Sequence, residues 1–167
     1  MRVERIDLLQ LHRIDPAVPL QDQLGALAQL QAEGKVRHLG LSEVTVAQLE
    51  EARQVIEGVS VQNRYNLIDR ERDAVLDHCL RQGIAFLPWL PIAKGDHGAS
   101  SQVLAEIASE LGATSTRVAL SWLLHRSPVM VPIPGTKSAA HLQENVAAAR
   151  LRLSAEQLDR LAGVCRG

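Results

Sequence analysis

Flat side chains are scarce in this chain: two tryptophans, one tyrosine and one phenylalanine among 167 residues. Any aromatic set between prolines, as Trp89 is between Pro88 and Pro91, therefore stands out. Cysteine is as scarce. Cys79 and Cys165 are too few for a disulfide framework and form no CxxC pair, which fits a reducing cytoplasm and makes Cys79 a small buried helix residue. Charge of neither sign dominates: 18 Lys and Arg against 19 Asp and Glu leave a net charge of -1. That balance argues against a nucleic-acid partner and against an anionic membrane surface. No apolar run approaches the ~18 residues of a spanning helix. The first ten residues alternate charged and apolar positions, so no signal peptide is read there. HExxH and other metal-ligand spacings are missing, and no metal is expected.

What is present is a rhythm of amphipathic stretches and short apolar runs. Gly34 precedes VRHLGL, Gly58 precedes VSVQ and Gly83 precedes IAFLPWL. Glycine past a helix supplies the left-handed residue that stops it, and the apolar run that follows reads as a strand buried on both faces. Strands are expected near 6–12, 36–41, 59–62, 84–88 and 129–133, making about five parallel βα units with right-handed crossovers. Leu20, Leu24, Leu27 and Leu30 stripe the first helix. Thr45 with Gln48 forms a capping box for the second, Asp69 is expected to cap a third carrying Val75, Leu76, Cys79 and Leu80, and Gly112 stops a fourth from Ser101 to Leu111. A fifth runs through Val118, Trp122 and Leu123. Ser138 and Ser154 start two short C-terminal helices, Ser154 with Gln157 as a second capping box. Lys94 to Ser101 reads as a polar flexible loop. An open doubly wound sheet has the same periodicity as a part-barrel, but no GxGxxG follows any strand.

In parallel barrels the chemistry lies at the carboxyl ends of the strands. That rule selects His12, Ser42 and Gln62, at the ends of otherwise apolar runs, and sets aside His38, which begins a strand. His78, His125 and His141 fall on helices. A backbone-bonded strand-end histidine is the structural alternative for His12, and simple strand-end caps are the alternative for Ser42 and Gln62. Near the carboxyl end of the chain, IPGTKSAAHLQEN places Gly135, Thr136 and Lys137 in a turn, with His141, Glu144 and Asn145 on one side of the following helix. Amide donors, a cation and polar groups meet there, although Lys137 also reads as a solvated surface charge.

Read together, IDLLQLHRIDP, GKVRHLGLSE, VQNRYNLIDR, WLPIAKG and IPGTKSAAHLQENV resemble the aldo/keto reductases over nearly the whole chain. The resemblance implies an α/β fold, a partial (β/α)8 TIM barrel with C-terminal helices, and NADP(H)-dependent reduction of aldehyde or ketone carbonyls. It implies that His12 is the histidine of the catalytic tetrad, orienting the carbonyl. It implies further that Ser42 and Gln62 hold the nicotinamide carboxamide and that Trp89 stacks beneath the nicotinamide ring. Leu90, Ile92 and their neighbours up to Ala93 would bind pyrophosphate through backbone amides. Thr136 and Lys137 would meet the 2'-phosphate, with Gly135 in the same turn. Glu144 and Asn145 would meet adenine, and His141 would stack on it. Where many family members have asparagine, this chain has Glu43, and an ionised carboxylate cannot donate the hydrogen bond an amide would.

The family's aspartate, tyrosine and lysine precede the segment that resembles this chain. Tyr65 and Lys35 replace none of them, because Tyr65 aligns after a different strand and Lys35 lies at the bottom of the sheet. Residues 1–167 are thus expected to form one incomplete domain, equivalent to strands four to eight of the barrel, with edge strands near 6–12 and 129–133. A complete eight-unit barrel takes roughly 250 residues. The alternative is a non-catalytic NADP-binding pseudoenzyme or a truncated product without activity of its own. Besides a small carbonyl substrate, the expected partner is a second copy or an N-terminal half, met through the exposed edges.

Overall fold

The computed structural model of the chain describes residues 3–93 and 100–163. Four parallel strands lie in the order β1 (Ile6–Leu11), β2 (Val36–Ser42), β3 (Gly58–Arg64) and β4 (Ala85–Trp89). Between them run α1 (Leu20–Ala32), α2 (Val46–Ala52) and α3 (Asp73–Gln82). After β4 come α4 (Ser100–Glu110), α5 (Ser115–Arg126), α6 (Ala139–Ala147), a 3-10 turn at Ala148–Arg150 and α7 (Ala155–Gly163). Strand order equal to chain order is what one repeated right-handed crossover produces. The chain divides into two compact units, residues 1–63 with 72–87, and residues 64–71 with 88–167.

In the first unit β1 pairs with β2 from Ile6↔Val36 to Leu11↔Leu41, and β2 with β3 up to Ser42↔Gln62. The second half of β2 is buried, with Leu39 and Leu41 fully enclosed, and β3 encloses Val61. α1 buries Leu24, α2 buries Leu49 and Ala52, and α3 buries Val75, Leu76 and Cys79, while Leu80, expected to face the sheet beside them, is 43% exposed. Gly40 lets β2 approach its neighbours closely, since a Cβ there would strike the Ser60 hydroxyl and lie 3.0 Å from Gln10 Cγ. Those two neighbours are themselves joined, Gln10 Nε2 donating to Ser60 Oγ at 3.1 Å.

The second unit packs α4, α5, α6 and α7 around Leu104, Ile107, Val118, Leu123 and Leu161. Tyr65 is fully buried there and stacks on Trp122, with centroids 6.2 Å apart, while the Arg70 guanidinium covers the Trp122 ring at 4.5 Å.

Local signals read well. Thr45 and Gln48 form the capping box of α2, Ser138 caps α6, and Ser154 and Gln157 exchange both bonds ahead of α7. Gly34 and Gly83 take φ +73° and +67° after α1 and α3.

Four further expectations fail. Gly58 stops no helix: α2 ends at Ala52 and Gly58 opens β3. Asp69 does not cap α3, whose N-cap is Arg72; its carboxylate instead pairs with Arg64 Nε at 2.7 Å. β3 runs on to Arg64, so Gln62 is not its last residue. Residues 129–133 form no strand, only a single bridge at Met130, and the edges of the described sheet are β1 and β4. Pro128, Pro132 and Pro134 offer no amide hydrogens to a ladder, so the extended segment has little with which to pair. The loop expected at 94–101 falls mainly outside the described residues, and α4 already starts at Ser100.

Candidate functional site

Polar groups collect at the carboxyl ends of β1, β2 and β3 in the first unit. His12 follows β1 directly and is exposed. Ser42, 2% exposed, ends β2 and is the register partner of Gln62. The residue after His12 completes the group: Arg13 Nη1 donates to Ser42 Oγ at 3.1 Å and to the His12 carbonyl at 2.6 Å. Because a guanidinium only donates, it occupies an oxygen lone pair and leaves the Ser42 proton for another acceptor. Glu43 follows at φ +54°, its amide bonded to the Gln62 carbonyl at 3.1 Å. That left-handed backbone suits asparagine far better than glutamate. Asn63, fully buried, clamps the next turn through two bonds to the Val44 backbone, at 3.1 and 2.8 Å.

In the second unit Trp89 is half-buried at the end of β4, with the Arg64 guanidinium 5.9 Å from its ring centroid. Leu90 and Ala93 both take positive φ, +56° and +46°, so two unusual residues bracket Pro91 and Ile92. The Ala93 amide closes the turn onto the Leu90 carbonyl at 3.1 Å, and Asn66 Nδ2 donates to the same oxygen at 3.1 Å. Left-handed residues in such a turn re-aim successive amides, which is how backbone concavities for anions are made.

Six of the residues singled out from sequence line one cavity of about 410 Å³: Ile92, Gly135, Thr136, His141, Glu144 and Asn145. Two others complete its wall, Thr114 and Thr116 from the start of α5. Thr114 carried a local signal, being the hydroxyl residue before a helix, but nothing in the chain tied it to Glu144 thirty residues on. Lys137, exposed, is not part of the wall, although it adjoins Thr136. His38, also exposed, and Tyr65, in the core, stand away from any such role. His78 and His125 are occupied otherwise: His78 Nδ1 stands 3.7 Å from Glu50, and His125 Nδ1 bonds the Ser121 carbonyl at 2.8 Å.

The sequence profile of the aldo/keto reductase family matches residues 1–166. The chain belongs to the aldo/keto reductase family. It is 49% identical over 159 residues to an uncharacterized oxidoreductase of Schizosaccharomyces pombe, covering 95% of this chain and 52% of that protein. To pyridoxine 4-dehydrogenase of Escherichia coli it is 47% identical over 147 residues, 88% of this chain and 51% of the other. Among solved structures, a thermostable aldo-keto reductase in complex with the inhibitor epalrestat aligns with TM-score 0.91 at 32% identity, over 96% of this chain and 60% of that one. An aldo/keto reductase from Klebsiella pneumoniae in complex with NADP and acetate aligns with TM-score 0.86 at 27% identity, over 96% and 59%. The four parallel strands and their helices are thus part of the aldo/keto reductase α/β barrel fold, and the chain spans about half the length of its relatives. No helix among the described residues is long and apolar enough to cross a membrane.

Proposed function

We propose that this chain carries the NADP(H)-binding part of an aldo/keto reductase that reduces aldehyde or ketone carbonyls in the cytoplasm. The cavity of about 410 Å³ walled by Gly135, Thr136, His141, Glu144 and Asn145 is the observation that carries the reading. It joins the two halves of one motif in a space suited to an adenosine group, with acceptor, amide and imidazole groups on its wall. The relatives agree with it: one is a pyridoxine 4-dehydrogenase, and one solved structure holds NADP.

Each group has a task its chemistry allows. Glu144 and Asn145 accept from and donate to the adenine edge, and His141 offers a flat ring to its face. Lys137, exposed outside the cavity wall, supplies a cation for the 2'-phosphate. Backbone amides around Leu90 and Ile92 would hold the pyrophosphate. In the second unit Trp89 has a face fit to stack on a nicotinamide ring; in the first, the Ser42 hydroxyl and the Gln62 amide have the chemistry to bond a carboxamide. His12, exposed at the end of β1, orients a carbonyl oxygen. NADPH, when bound, supplies the hydride that reduces the carbonyl carbon. The accompanying proton needs an acid, and Tyr65, the one tyrosine of the sequence, is fully buried.

A non-catalytic NADP-binding role is the second reading, and the burial of Tyr65 is what favours it. For a partner we propose a complementary strand-bearing segment or a second copy at the edge of β1, where Leu8 is 41% exposed.

Calorimetric titration of the 167-residue chain with NADPH and NADH tests binding, and Lys137→Ala should weaken the former more. Assay of the same chain with aldehydes tests chemistry. Binding without turnover is expected, with turnover restored by an added N-terminal segment of a full-length relative. Turnover by the chain alone that His12→Ala abolishes would overturn the division of roles, and absence of binding to either nucleotide would overturn the cofactor reading.

A further inference from the structure

One arrangement in the cavity lies outside the motifs. Thr114 is the N-cap of α5, and its Oγ1 accepts the Arg117 amide at 3.2 Å. A hydroxyl has one proton to give, and with the oxygen engaged by the helix that proton goes to Glu144 Oε2 at 3.1 Å. The Arg117 guanidinium approaches the same oxygen, Nε at 3.9 Å, which is too long for a hydrogen bond but close enough for charge to hold the carboxylate. Arg117 Nε is buried and has no hydrogen-bond partner among the described residues. The first turn of α5 therefore secures one Glu144 oxygen from two directions. Oε1 makes no hydrogen bond among the described residues, and Glu144 lines the cavity beside Thr114 and Thr116.

An ionised carboxylate accepts and cannot donate. Held in place, it rewards a ligand that presents an N–H and opposes one that presents a carbonyl, because two acceptors then face each other with no proton between them. A loose carboxylate would turn aside and discriminate little. We infer that Thr114 and Arg117 are positioning residues that hold Glu144 toward the exocyclic amine of a 6-aminopurine, so that the cavity selects this base over a 6-oxopurine. The inference rests on the proposal that the cavity takes the adenosine end of the cofactor, and it adds to that reading both a selectivity and the residues that create it.

Adenosine 2',5'-bisphosphate and inosine 2',5'-bisphosphate, titrated calorimetrically into the 167-residue chain, are the probes. The native chain should prefer the adenosine compound by about tenfold. Thr114→Val keeps the volume and removes the hydroxyl; the adenosine compound should then bind roughly 3- to 10-fold more weakly while the inosine compound is unchanged. Thr114→Ser, which keeps the O–H, should restore the preference. Thr114→Asp caps the helix but gives no proton, so it should lose the preference while keeping thermal stability, and it serves if the valine variant unfolds. Arg117→Met should reduce the preference by a smaller factor. Equal weakening of both compounds in the valine and aspartate variants, or a preference untouched by them, would overturn the positioning role alone. A native chain that binds neither compound would overturn the cavity's assignment and this inference together.

Discussion

Arg13 ties the end of β1 to the end of β2: its Nη1 donates to the buried Ser42 hydroxyl at 3.1 Å while also holding the His12 carbonyl at 2.6 Å. Arg13→Met keeps the aliphatic stem and removes the donor, and should cost about 1 kcal/mol in urea denaturation. Combined with Ser42→Ala, the loss should be smaller than the sum of the two single losses, because both variants break one bond. Strict additivity would show that the contact contributes nothing.

Gly40 is predicted to be intolerant of a side chain. A Cβ would meet the Ser60 hydroxyl, the Ser60 carbonyl at 3.0 Å and Gln10 Cγ at 3.0 Å, so Gly40→Ala should lower stability by about 1–3 kcal/mol. Adding Ser60→Ala removes the nearest atom and should recover part of it. An unchanged urea midpoint in Gly40→Ala would refute the close approach.

Glu43 adopts φ +54°, where a non-glycine residue is costly and asparagine least so. Glu43→Asn should therefore raise stability, by about 0.5–1 kcal/mol. Thermal denaturation decides it, a lowered midpoint being the contrary result.

Burial pushes the Cys79 thiol up to about 12 from 9.0. Below pH 9 both folded and unfolded chains keep that proton and stability is unaffected. Between about pH 9 and 12 the unfolded chain releases it and the folded chain does not, so stability falls as pH rises, by about 1.4 kcal/mol per pH unit. Cys79→Ala should flatten this part of the profile even though it lowers stability at neutral pH. The same alkaline slope in both chains would assign it to other groups.

How much of the molecule could be read in advance follows from distance along the chain. The Thr45–Gln48 and Ser154–Gln157 boxes, the Ser138 cap and the left-handed glycines after α1 and α3 each depend on residues within about one turn, and these were legible. Asp69 shows the limit. As an acidic residue ahead of a helical pattern it reads as a cap, but Arg64 competed for its carboxylate across a turn that no local rule describes. Arg13 went unread for a similar reason, since its partner Ser42 is twenty-nine residues away.

From sequence alone came the family, the parallel βα rhythm and the residues of the IPGTKSAAHLQEN motif, because these rest on periodicity and on short contiguous patterns. Tertiary structure alone decided that Thr114 and Arg117 reach Glu144, that Lys137 stays outside the cavity wall, and that residues 129–133 form no strand beyond the bridge at Met130. The physical reason is that a strand, a cavity wall or a shared carboxylate exists only when segments distant in the chain are brought side by side. Which segments meet is settled by burial summed over each unit, whereas a cap or a helix stripe is settled by its neighbours.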